Sequence, residues 1–146
     1  MDYKEDVFLG YKYYEKNKIP VMYPFGFGLS YTRFDYSGLT VQGNSDHMTV
    51  SFTVKNVGDR CGAEAAQVYV SAPGGSVSRP VKELAGFQKV LLKSGENIKI
   101  HIELGRDAFS FWDPVTKKWR MELGDYKILV GRSSQDILLS QTIKME

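Results

Sequence analysis

The residues that could assemble a metal centre, a thiol nucleophile or an acid–base pair are few in this sequence, and they lie scattered. His47 and His101 are far apart, and neither belongs to a ligand-spaced cluster with cysteine or carboxylates, so no metal site is expected. His101 falls in the polar phase of an alternating run and is read as facing solvent. Cys61 stands alone in a Gly/Asp/Arg turn without a neighbouring base, and no Gly-x-Ser-x-Gly elbow occurs, so nucleophilic catalysis finds no setting. Hydrolysis of a sugar would need two carboxylates held across the bond. Glu5-Asp6, Asp107 and Asp113-Pro114 sit at turns or at the polar N-terminal edge, where aspartate bonds its own backbone, so each is expected to be local and structural. Gly26-Phe27-Gly28 lacks the third glycine and the following helix of a dinucleotide loop and reads as a tight backbone crossing. Neither a catalytic residue nor a cofactor is assigned.

Aromatic side chains are the other source of chemistry. Trp112 and Trp119 flank a hairpin tip that carries Lys117 and Lys118, and could form a stacking platform for a sugar or base; packing in the core or at its rim is the competing reading. Eleven of the nineteen aromatic residues precede Ser37. Tyr11, Tyr13, Tyr14, Tyr23, Phe25, Phe27 and Tyr31 are the candidates for docking onto a neighbouring domain, because such rings each bury about 150–250 Å² and are costly to leave wet. Without that neighbour the arm is expected to fold back or to pair with a second copy of the chain.

The elements that must hold these residues follow from periodicity. Between Tyr3 and Tyr36 no 3.6-residue period survives, and Pro20, Pro24 and the glycine triplet interrupt any long helix or central strand; residues 1–36 are read as an extended aromatic arm. From Leu39 the pattern alternates. Met48, Val50, Phe52 and Val54 share one face, as do Ala66, Val68 and Val70, and then Ile98, Ile100, Ile102 and Leu104. Asn56-Val57-Gly58-Asp59 and Ser94-Gly95-Glu96-Asn97 supply turns, Glu83 to Leu92 reads as a strand with Gly86 at a bulge or close contact, and Lys117 to Glu122 returns as a hairpin strand. Tyr126, directly after Gly124-Asp125, resembles the tyrosine corner of immunoglobulin-like sandwiches.

Residues 37–146 therefore hold about seven short strands and no convincing amphipathic helix: an all-β, antiparallel two-sheet sandwich, with a closed barrel still open as an alternative. The 146 residues, 42% apolar and 25% charged, suffice for one soluble domain. A formal net charge of +2 is too small for a nucleic-acid footprint, no apolar run is long enough to span a membrane, and no export signal is recognised.

Gly10-Tyr11-Lys12-Tyr13-Tyr14 and Tyr23-Pro24-Phe25-Gly26-Phe27-Gly28-Leu29-Ser30-Tyr31-Thr32 resemble the C-terminal junction of family 3 glycoside hydrolases. Val54-Lys55-Asn56-Val57-Gly58, Gln67-Val68-Tyr69-Val70, the run Arg79 to Phe87 and Gly124 to Gly131 resemble the fibronectin type III-like domain that ends many β-glucosidases of that family. The resemblance implies a fibronectin type III-like sandwich without catalytic residues of its own. Its partners would be the catalytic barrel and α/β sandwich domains of a parent enzyme that hydrolyses terminal β-glucosides with retention and needs no cofactor; related parents act on xylosides or arabinosides. An accessory role that stabilises or shapes the catalytic domains is the first expectation. A carbohydrate-binding module, concentrating the parent on polysaccharide, is the second.

Overall fold

The computed structural model describes residues 6–75 and 77–146. Nine strands follow a short helix: α1 (Tyr11–Lys16), β1 (Phe34–Gly43), β2 (His47–Asn56), β3 (Gly62–Ser71), β4 (Glu83–Leu92), β5 (Asn97–Gly105), β6 (Ser110–Asp113), β7 (Lys118–Met121), β8 (Gly124–Gly131) and β9 (Ile137–Met145). One sheet runs β1-β2-β5 and the other β4-β3-β8-β9, all pairs antiparallel; β6 and β7 form a separate hairpin. The seven strands of the two main sheets make the fibronectin type III-like sandwich. The barrel alternative falls, because the two sheets do not close on each other through strand pairing.

Alternation explains the core. Met48, Val50, Phe52 and Val54 of β2 and Ile100, Ile102 and Leu104 of β5 meet Ala66, Val68 and Val70 of β3 and Tyr126, Ile128 and Val130 of β8, all buried. Ile98 begins the β5 ladder but stays exposed at the strand's start. Gly86 fulfils both sequence readings. The register with β3 slips beside it, from Val68↔Gly86 to Tyr69↔Leu84, and a Cβ at 86 would lie 2.6 Å from Ile102 Cγ2, so glycine lets the two sheets approach. The Tyr126 hydroxyl donates to the Glu122 carbonyl at 2.9 Å and lies 3.2 Å from that of Phe109, which makes it a tyrosine corner.

The arm departs from expectation in two ways. Tyr11–Lys16 is helical rather than extended; Lys16 Nζ sits 3.3 Å from the Phe8 ring centre, and Asn17 returns its side-chain amide to the Tyr13 carbonyl at 2.9 Å. Contacts to residues outside the helix, not an apolar period, support these one and a half turns. The first strand also begins at Phe34, so β1 takes its first three residues from the aromatic stretch. Of the acidic residues read as structural, Glu5 lies outside the described residues.

Candidate interaction surfaces

The arm lies over the outer face of the four-stranded sheet. On β3 the residues that alternate outward, Gln67 and Tyr69, are as buried as those facing the core. The Gln67 carboxamide shows why. Its Nε2 donates to the Gly26 carbonyl at 3.1 Å and to the Arg132 carbonyl at 2.6 Å, while Oε1 accepts the Tyr69 hydroxyl at 2.6 Å. One buried amide thereby joins the arm, the sheet and the β8–β9 turn, and the Ser134 N–H adds a bond to the Phe25 carbonyl at 2.8 Å. Gly26 has φ +79°, and a Cβ there would enter the Gln67 side chain, so the glycine triplet is the backbone crossing that its composition implies.

Farther along, Tyr11 stacks on Phe25 with ring centres 4.5 Å apart, meets Tyr69 edge-on at 6.3 Å and accepts the Leu84 N–H at 2.9 Å. Burial pushes the hydroxyls of Tyr11 and Tyr69 above the ordinary tyrosine range. Two ion pairs flank this contact: Lys82 with Glu15 at 3.0 Å, both largely buried, and Lys12 with Glu83. Tyr11 is thus mostly committed to this chain's own sheet. Tyr13, Tyr14, Tyr23, Phe25, Phe27 and Tyr31 each keep a large exposed area. Met22 and Leu29 join them, so that Met22, Leu29 and Tyr31 stand 86%, 91% and 91% exposed within ten residues of sequence.

The second aromatic surface is the β6–β7 hairpin, where Trp112 and Trp119 are direct cross-strand partners with ring centres 5.8 Å apart at 72°. They are 50% and 68% exposed. The Asp113 carboxylate fixes the tip: it accepts the Val115 N–H at 2.9 Å, the Thr116 hydroxyl at 2.7 Å and Arg120 at 2.9 Å. Arg120 and these turn donors hold its pKa well below the usual carboxylate range. Beside the indoles, a groove of about 530 Å³ is lined by residues of the hairpin and of the start of the arm, among them Phe111, with Arg79 5.4 Å from that ring.

Both histidines of the sequence reading have partners on the sheet surface. His101 lies 2.8 Å from the Ser51 hydroxyl on the exposed face, and His47 pairs with Glu103 at 2.9 Å. Cys61 is an exposed free thiol. A dyad that sequence reasoning did not single out is Tyr36–Glu64, with the phenol donating at 2.9 Å; burial raises the pKa of both groups. Its residues lie 28 positions apart, and only the fold brings them together.

Comparison with known proteins agrees with this architecture. Residues 64–134 match the fibronectin type III-like domain. The chain is 47% identical to a β-glucosidase of Kluyveromyces marxianus, over 99% of this chain and 17% of that protein, and 42% identical to thermostable β-glucosidase B of Acetivibrio thermocellus, over 99% and 20%. The crystal structure of a family 3 β-glucosidase from Bifidobacterium adolescentis superposes with TM-score 0.95 at 42% identity, covering 99% of this chain and 22% of that one. This chain thus spans about a fifth of the length of the relatives it matches. With its tyrosine corner and seven-stranded sandwich, the chain carries a fibronectin type III-like domain over residues 64–134 and aligns almost end to end with one segment of family 3 β-glucosidases.

Proposed function

We propose that this chain is a non-catalytic accessory domain of a family 3 β-glucosidase-like hydrolase, in which the aromatic stretch before β1 forms the interdomain arm and the residues from Phe34 onward the sandwich body. The arm rests on the sandwich with one side and offers the other to the barrel and α/β domains of the parent, whose reaction is the retaining hydrolysis of terminal β-glucosides. The observation that carries this reading is the run of exposed apolar side chains from Met22 to Tyr31, held in place by Gln67 and the Ser134 amide instead of trailing loose. A surface so apolar and so firmly anchored favours a permanent intramolecular interface. The fifth of the relatives' length that the chain covers leaves the remainder for the catalytic apparatus.

The test is made in the parent enzyme with Tyr23, Leu29 and Tyr31 replaced together by serine. Each side chain that leaves an apolar contact removes about 1.5–3 kcal/mol. The expected outcome is a marked fall in the enzyme's Tm and folding yield, with kcat of the surviving protein close to normal. Unchanged stability and yield would refute the docking role. The isolated chain is expected to leave a chromogenic β-glucoside intact; turnover by it would refute the non-catalytic assignment.

A further inference from the structure

Nothing in the docking reading requires the tryptophan hairpin, which is a separate element between β5 and β8. We propose that the groove beside Trp112 and Trp119 is a binding site for an uncharged, flat oligosaccharide, that is, a chain of sugars whose linkages and hydroxyls are equatorial.

Three observations point to that ligand. The two indoles project from the same face of a hairpin whose tip is locked by Asp113, so they stay presented without an apolar cover among the described residues. Such rings stack on the C–H faces of a sugar, and an all-equatorial chain is the one that turns its C–H groups to its flat faces. The volume of about 530 Å³ falls among small-molecule clefts, whose usual range is about 300–1,000 Å³.

Charge then excludes other ligands. Among the described residues, the charged groups lining the groove are Asp6, Lys12, Arg79 and Glu83, two of each sign. Glu83 takes Lys12 and, at 3.7 Å, Arg79, while the Arg79 guanidinium also lies over Phe111. A rim neutralised in this way has no net field for an acidic polymer or a basic peptide, yet its fixed donors and acceptors suit hydroxyl groups, which can both give and accept hydrogen bonds.

The experiment titrates the full 146-residue chain with cellopentaose, following tryptophan emission and calorimetric heat, beside maltopentaose (an axially linked, curved chain) and polygalacturonate (an anionic one). Expected are saturable binding of cellopentaose with Kd of about 1 mM or below, insensitivity to salt, and weaker binding of both comparators. Trp119→Ala weakens binding at least about tenfold, and Trp119→Phe, which keeps an aromatic face, recovers most of it. Urea unfolding of each variant confirms that it folds. The proposal is overturned by any of four results: no saturable response to cellopentaose, equal affinity in Trp112→Ala/Trp119→Ala, stronger and salt-sensitive binding of polygalacturonate, or indole burial that grows with protein concentration alone, which would assign the pair to a second copy.

Discussion

The arm and the β6–β7 hairpin both expose large aromatic residues, but the sandwich holds them in opposite ways. The arm is stitched along its length by polar groups of the sandwich: Gln67 at Gly26, Leu84 at Tyr11, Ser134 at Phe25 and Asn56 at Thr32. The hairpin is fixed at its base by a tyrosine hydroxyl and at its tip by one carboxylate. An apolar surface seated on such a hydrogen-bond network moves with the body that carries it, as a permanent seam requires. One carried on a two-stranded projection has its own local stability and can be changed without unfolding the rest. On that difference rests the proposed division between docking by the arm and ligand presentation by the hairpin.

The strongest way to break the comparison is to cut the stitching. Gln67→Leu keeps the volume but leaves the buried Tyr69 hydroxyl and the part-buried bonds to the Gly26 and Arg132 carbonyls without their amide partner. Unsatisfied buried groups cost about 1–3 kcal/mol each, so a loss of about 3 kcal/mol is expected, equivalent to a Tm lower by roughly 10 °C. Because the amide joins arm to sheet, limited proteolysis near Lys16 and Lys18 should accelerate at the same time. If Tm falls while the arm stays protected, the two are not mechanically one body.

A smaller effect is expected at the hairpin's base. The Tyr126 hydroxyl reaches Glu122, just after β7, and Phe109, just before β6, so one group holds both feet of the projection. Tyr126→Phe keeps the buried ring, which meets Phe109 edge-on at 5.5 Å, and removes only these contacts. About 1 kcal/mol of global stability should go. Hydrogen exchange should rise in Ser110–Met121 more than in the arm; uniform exchange would mean that the corner stabilises the sandwich as a whole.

Sequence exposed these two regions unequally. The core strands were legible because one-sided burial writes itself as alternation, as in Met48 to Val54, and because Gly86 and Tyr126 each answer a local geometric demand that few residues meet. Gln67 and Tyr69 were not legible as a buried pair. Alternation assigns them to the outer face, and the residues that cover that face lie 41 or more positions upstream. The clue was Tyr69, a large ring on the phase that alternation turns outward. Helix α1 left no periodic signal because its support comes from Phe8 and Asn17, beyond its own six residues. For the tryptophans, residue type raised the choice between packing and presentation, but exposure is set by what stands beside the hairpin, which a local pattern does not contain.

The most delicate prediction concerns the hairpin's tip and its dependence on acid. Asp113 is held below its ordinary value of 3.8 by Arg120, Thr116 and the Val115 amide, so the folded hairpin binds this proton less readily than the open chain does. A depressed carboxylate contributes stability that is complete above the unfolded value and declines as pH falls below 3.8 toward the folded one. The tip should accordingly loosen in acid before the core, which draws no stability from this proton. The edge-on indole pair gives the readout: circular dichroism from the coupled Trp112 and Trp119 rings should fade below pH 4 or so while the β-sheet signal persists. Asp113→Asn retains an acceptor for the turn N–H groups but loses the charge facing Arg120; it should weaken the couplet at neutral pH and flatten its acid dependence. An acid profile unaltered by the substitution would show that the platform is held by its strands and not by its carboxylate. The hairpin would then be as rigid as the arm, and the distinction between a fixed seam and an independently adjustable projection would fail at its narrowest point.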